Sequence, residues 1–164
     1  CDWSSDVCSS DLQKSLLDTA LAVARVNATL NRTPRFEYAK SKTVSLTDQR
    51  AKKVVAAALS RVSTGQYVWG ASGGNSFDCS GLVVWAFHQA GITVPHSSEA
   101  LATGGQPVAL DQMQPGDVIS FFPDASHVGI YVGDGRVIHA SFEGLPVTVE
   151  SLYTAPINAV RHYG

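Results

Sequence analysis

From residue 13 to 31 apolar side chains recur at Leu16, Leu17, Ala20, Leu21, Val23, Ala24 and Leu30. That is the spacing of one helix face, and Asn31, Thr33 and Pro34 supply its stop. Residues 32–47 mix Pro, Ser, Thr and Lys without period and read as a linker, or as an arm lying over the next domain. Thr47 or Asp48 can cap a second helix, in which Val54, Val55, Ala58, Leu59 and Val62 form one stripe while Arg50, Lys52, Lys53 and Arg61 face out. This helix is expected to end near Gly65. A glycine-rich stretch from Gly70 to Asn75 then leads into Asp78 and Cys79. An apolar helix continues through Leu82, Val83, Ala86 and Phe87 to Ala90, with Gly91 placed to stop it. The remainder is strand-like, at 118–122, 127–133, 136–141, 147–150 and 159–163, with Pro-Gly, Asp-Gly and Gly-Leu-Pro turns between. Helices first and antiparallel strands after predict an α+β fold, N-terminal helices packed on an antiparallel sheet.

The chain has 164 residues, 45% of them apolar and 16% charged, which suits one ordinary domain with a real core. No apolar run reaches membrane-spanning length, and no charged segment followed by an apolar one opens the chain, so neither a membrane span nor an export signal is read from it. Charge is unevenly spread: residues 1–12 carry −3, residues 13–64 carry +7 and residues 65–164 carry −6. An acidic globular part argues against nucleic acid as a partner. The basic segment before it is either a solvated helix surface or a contact to a polyanion such as a cell-wall polymer. Nothing in the composition calls for a cofactor, and a monomer is expected.

Cysteines stand only at Cys1, Cys8 and Cys79, without the spacing of a metal site or a disulfide framework. Residues 1–12, CDWSSDVCSSDL, have no structural period, and Asp6 to Leu12 reads back as GAC GTG TGC TCT TCC GAT CT, a sequencing-library adapter. Residues 1–12 are therefore set aside as an assembly artefact, residues 13–47 as an N-terminal helix and linker, and residues 48–164 as the functional domain. The natural N-terminus and any signal peptide are expected to lie outside this sequence. Tripeptides at Asn27 and Asn31 match glycosylation sequons, a pattern that arises easily by chance.

Cys79 lies in the first turn of a predicted helix, where the helix dipole and unpaired amides favour thiolate over thiol. A lone cysteine is most often a buried structural one, but a structural role needs neither the glycine-rich approach nor the small polar run Asp78-Cys79-Ser80-Gly81. Of the histidines at 88, 96, 127, 139 and 162, His127 opens one strand and His139 lies on the next. A two-residue Asp134-Gly135 loop would throw them onto opposite faces. A three-residue loop, Gly133-Asp134-Gly135 with a G1 bulge, pairs Gly129 with His139 and leaves the histidines as diagonal neighbours about 7 to 8 Å apart at Cα. The three-residue loop is predicted. His127 would then take the Cys79 proton or form an ion pair with it, and His139 would hold the far nitrogen of His127. The Cys79 N–H and the Tyr67 hydroxyl would stabilise an oxyanion, contacts worth about 3 to 4 kcal/mol. His88 and His162 read as structural, and Trp69, Trp85 and Tyr131 as core, with Trp69 also placed to pack against a sugar or peptide.

The run Tyr67 to Gly81, Gln114-Pro115-Gly116-Asp117, His127 to Gly133 and Ile138-His139-Ala140 closely resembles the NlpC family of papain-like cysteine peptidases, in the same order, over about residues 48–164. The resemblance implies a small papain-like core and a D,L-endopeptidase of bacterial peptidoglycan. Such an enzyme cuts the stem peptide between D-γ-glutamate and the diamino acid, meso-diaminopimelate or lysine, without a metal and outside the membrane, at the cell wall. In its terms Cys79 is the nucleophile, His127 the base, His139 the third polar residue and Tyr67 a tyrosine near the oxyanion. Asp78, Ser80, Ser97 and Ser98 fall in segments that line the groove of relatives, and His96 stands where relatives often have Arg. Three other readings stay open: an amidase or acyltransferase on another amide or ester, an idle wall-binding module, and a peptidase restrained by residues 13–47 lying across its groove.

Overall fold

The computed structural model describes the backbone from residue 41 and side chains from residue 49. The helix expected over 13–31, the segment 1–12 and most of the arm lie outside the described residues. Helix α1 spans Ser41–Leu59, so residues 41–47 are helix and not linker. No Gly or Pro stands between Pro34 and Gly65, and Ser and Thr inside a helix cost only tenths of a kcal/mol each, so nothing stops the second helix from reaching back past the expected cap. Val54, Val55 and Ala58 are buried as the stripe requires. The chain leaves α1 through tight turns, with the Gly65 N–H on the Arg61 carbonyl at 2.7 Å. Arg61 does not face out: its guanidinium lies 4.5 Å over the ring of Trp85.

The glycine-rich stretch folds as a small sheet that the sequence pattern hides. Strands β1 (Gln66–Tyr67), β2 (Ser72–Gly73) and β3 (Ser76–Phe77) order as β1-β3-β2, with β1 parallel and β2 antiparallel to β3. Helix α2 (Cys79–Gln89) comes at once and a second short helix, α3 (Ser98–Thr103), after it. At six residues, α3 is too short to show a period, and the sequence pattern does not predict it.

Strands β4 (Gln106–Pro107), β5 (Val118–Phe121), β6 (His127–Gly133), β7 (Arg136–His139), β8 (Thr148–Ser151) and β9 (Ile157–His162) build one sheet in the order β4-β9-β5-β6-β7-β8, antiparallel throughout. Alternation along the strands sorts side chains to two faces. Val128, Ile130, Val132 and Ile138 join Val54, Val55, Leu82, Val83 and Phe87 of the helices in the main core. Ile119, Phe121, Val137, Leu152 and Val160 form a second cluster on the other face, and half-buried Tyr131 packs against it. The fold is α+β, as the order of patterns required.

The β6–β7 hairpin corrects the expected loop while keeping its consequence. The turn has two residues, Asp134 and Gly135, at φ 51° and 66°, the left-handed pair that a type I′ turn requires. Gly133 pairs with Arg136 but Tyr131 with Val137 and Ile130 with Ile138, so Val132 is one extra residue in β6. That bulge restores the parity that the short turn would have lost. Carried on, the register opposes Gly129 to His139, and His127 and His139 share a face.

Candidate active site

Asp78 fixes where Cys79 sits. Its backbone is extended and its carboxylate caps α2, accepting the Gly81 N–H at 2.6 Å. The same carboxylate accepts the Gly70 N–H at 2.8 Å and the Ser80 hydroxyl at 3.2 Å, and meets His96 Nε2 at 3.0 Å. Burial opposes the charge on Asp78, but His96 and the N–H groups of Gly81 and Gly70 outweigh it and hold its carboxyl below the usual range. The loop comes so close that a Cβ on Gly81 would fall inside the carbonyl of Ala71, which explains the glycine two residues after the cysteine. Asp78 and Ser80 are buried and fully engaged in this clamp. Ser97 caps α3 through the Ala100 N–H at 3.2 Å, and Ser98 is that helix's first residue.

Cys79 is a half-buried free thiol at the first position of α2. Burial, with the charge of Asp78, pushes the thiol up, while the N–H groups of Val128, Ser80 and Cys79 itself act against that push. The Val128 contact brings the sulphur to the residue that comes after His127. Tyr67 feels the charge of Cys79 as well: burial, then Cys79, Asp78 and Glu143, raise its phenol.

The two histidines meet ring to ring. His127 Nε2 lies 2.7 Å from His139 Nδ1, with centroids 5.0 Å apart and planes at 70°, and Phe121 packs on the far side of His127 at 5.8 Å. One of the two nitrogens must donate and the other accept. His139 Nε2 in turn lies 3.4 Å from Glu150 Oε2 and 3.3 Å from the Ser141 hydroxyl. Burial first, then the neighbouring His139, holds His127 down to about 4, with Glu150 acting the other way. Burial likewise holds His139 to about 4.

Glu150 and Ser141 carry no signal of their own in the sequence. Glu150 pairs with Val137 and His139 with Thr148, so Glu150 and His139 are diagonal neighbours on one face. The rule that relates the two histidines would have found it, had the β7–β8 register been readable across residues 140–147. The other predicted residues resolve plainly. His88 is exposed, and His162 is structural, its Nδ1 2.7 Å from the buried Asp117. Trp85 packs on Phe77 with centroids 5.4 Å apart, whereas Trp69 is 86% exposed, overturning its reading as core. The backbone on either side of Trp69 is pinned, the Val68 N–H on the Phe77 carbonyl and the Gly70 N–H on the Asp78 carboxylate, and the ring between them points to solvent. Among the described residues no group of three His, Cys, Asp or Glu side chains could hold a metal, and no helix is long and apolar enough to cross a membrane.

Comparison with known proteins identifies the family and the fold. Residues 64–162 match the NlpC/P60 family. A probable endopeptidase of Mycobacterium tuberculosis is 57% identical over 111 residues, covering 67% of this chain and 29% of the relative. The peptidoglycan endopeptidase RipA of the same organism is 33% identical over 154 residues, 84% of this chain and 30% of the relative. The chain thus spans roughly 30% of the length of these two relatives. Among solved structures, NlpC2 of Trichomonas vaginalis superposes with a TM-score of 0.65 at 32% identity, over 70% of this chain and 46% of that one. A hypothetical invasion protein of M. tuberculosis gives 0.65 at 33% identity, over 73% and 64%.

Proposed function

This chain belongs to the NlpC/P60 family, and from that premise we propose that it is a cysteine endopeptidase of bacterial peptidoglycan. Its bond is the amide between D-γ-glutamate and the diamino acid, meso-diaminopimelate or lysine, and its place of work is the cell wall, outside the membrane. The observation that carries the proposal is the 2.7 Å contact of His127 Nε2 with His139 Nδ1, on the strand whose next amide faces the Cys79 sulphur. With Nε2 occupied, Nδ1 is the nitrogen of His127 left for the thiol proton.

Burial opposes a lone thiolate and a lone imidazolium alike, so the proton moves within the pair as the sulphur attacks. Sγ bonds to the γ-glutamyl carbonyl carbon while its proton passes to His127 Nδ1. The oxyanion that forms is met by the Cys79 N–H, one of the free amides that open a helix, and by the Tyr67 hydroxyl. His127 returns the proton to the departing amine of the diamino acid, leaving a thioester on Cys79. Water, deprotonated by His127, attacks the thioester carbon, releasing the γ-carboxylate and the thiol. Asp78 and Ser80 position the nucleophile helix, and Ser97 and Ser98 stand at the start of the neighbouring helix on the groove.

Digestion of purified diaminopimelate-type and lysine-type muropeptides by the full chain and by Cys79→Ala, with products weighed by mass spectrometry, tests this. Cleavage after D-γ-glutamate by the parent alone is expected. Intact muropeptides after incubation with the folded parent and also with a chain starting near Thr47 would reject it in favour of another amide substrate or a wall-binding module, whereas cleavage by the shorter chain alone would show a peptidase restrained by the residues before it.

A further inference from the structure

We propose that Glu150 is a positioning residue of this site: its carboxylate accepts the Nε2–H of His139 and so selects the tautomer whose bare Nδ1 receives the Nε2–H of His127. The proposal rests on reading Cys79, His127 and His139 as the reacting set, and it extends that set by one residue.

The relay has a direction only if something at its far end has one. His139 presents Nδ1 to His127 at 2.7 Å, and neutral imidazole carries one proton on either nitrogen. If that proton sits on Nδ1, His139 donates to His127 Nε2, and His127 must carry its own proton on Nδ1, where it cannot receive one from sulphur. If it sits on Nε2, His127 donates through Nε2 and keeps Nδ1 free as a base. Two groups reach His139 Nε2, the Ser141 hydroxyl at 3.3 Å and Glu150 Oε2 at 3.4 Å. A hydroxyl donates or accepts equally well and serves either tautomer. An ionised carboxylate only accepts, and therefore admits only the productive one.

At His127 the electrostatics point the same way. Glu150 is the one carboxylate among the described residues whose charge supports a proton on His127, and the imidazolium formed during attack is what that charge stabilises. The Glu150 side chain is 40% exposed and that of His139 10%, so solvent screens the effect and leaves room for a change at position 150 without disturbing the core.

Glu150→Gln is the decisive variant, because the amide keeps the shape but can donate as well as accept. Long-range 1H–15N imidazole spectra of the full chain are expected to show His139 as the Nε2–H tautomer in the parent and as a mixture in Glu150→Gln. Alkylation of Cys79 by iodoacetamide at pH 7 is expected to slow by roughly threefold to tenfold in the variant, the range of a screened charge-assisted hydrogen bond, with an unchanged melting temperature. An Nδ1–H tautomer in the parent, or the same tautomer and alkylation rate in both proteins, would overturn the proposal. Neither readout needs a substrate, so a failure of the peptidase reading on muropeptides leaves this result standing on its own.

Discussion

Gly129 and His139 face one another across β6 and β7 with no room for a side chain between them. A Cβ at position 129 would lie 3.2 Å from His139 Cβ, 2.8 Å from the Ile138 carbonyl oxygen and 2.5 Å from Val137 Cγ2. Position 129 is two residues along the same face from His127, so its bareness is what lets the His127 ring lean diagonally onto His139. Gly129→Ala forces a backbone or a ring to move, and overpacking of this kind costs about 1 to 3 kcal/mol. A lower melting temperature together with a loss of muropeptide turnover is expected. Parent-like values of both would show that the hairpin yields without separating the rings.

In the proposed mechanism His127 takes the proton of the half-buried thiol as the sulphur attacks. Since burial pushes Cys79 up, His127→Ala leaves it protonated at neutral pH, and alkylation by iodoacetamide should slow by roughly tenfold or more. A rate equal to the parent's would mean that the helix terminus and the surrounding amides suffice, and would remove His127 from the mechanism.

Stability should depend on pH through the same pair. His127 and His139 are held to about 4 in the fold by burial, against about 6.5 in the unfolded chain. Between those values the unfolded state binds more protons, so stability is fully present above about pH 6.5 and falls as pH drops towards about 4. Each group titrating alone is worth at most about 3 kcal/mol across that window. Urea midpoints measured from about pH 7.5 to about pH 4.5 should therefore decline, and His139→Asn should flatten the slope. A midpoint that holds level over this range would mean that the pair is charged in the fold.

Asp78 ties three pieces of chain to one carboxylate: the α2 N-terminus, the Gly70 loop and His96. Asp78→Asn keeps one acceptor but turns an N–H group toward a partner that itself donates. A loss of about 2 kcal/mol is expected from the cap and the unmatched donor, seen as a lower urea midpoint. Because Asp78 is held below its usual value of 3.8, its contribution is fully present above pH 3.8 and is lost as pH falls through the lower value it has in the fold. Thiol reactivity should fall as well, since the clamp is what aims Cys79.

How much of this was legible in the sequence depends on which interactions are local. The start of α2 at Cys79 and the stripe at Val54, Val55 and Ala58 are set by neighbours a turn away, and both read directly, whereas Asp78 reads in the sequence only as a groove residue and its role as the cap of α2 emerges from the fold. The shared face of His127 and His139 was reached by parity, with the wrong device: the bulge at Val132 leaves no mark in the spacing of apolar residues, which fill both faces of β6 there. What stayed hidden depends on distant pairing. Strands β1 to β3 have two residues each and carry no period, α3 spans under two turns, and Glu150 reaches His139 through a β7–β8 register set by the loop over 140–147. Arg61 over Trp85 is likewise a meeting of α1 with α2 that no pattern on α1 alone announces.

Trp69 gives up its apolar ring to solvent where most tryptophans would be half-covered. At 86% exposed it contributes little to the core, and Trp69→Ala is expected to leave the stability read from the urea midpoint within about 0.5 kcal/mol of the parent. Yet it lies between Tyr67 and the Asp78 clamp, on the loop whose anchoring at Gly70 fixes the approach to Cys79. A large exposed aromatic ring offers a flat apolar face to a bound sugar or peptide. If Trp69 holds substrate away from the scissile bond, its loss removes binding felt equally in the ground and transition states, raising KM while kcat stays near the parent value. Steady-state kinetics on a muropeptide separate the cases. A fall in kcat at constant KM would instead place the ring's effect on the nucleophile loop, and unchanged constants would remove Trp69 from the substrate groove.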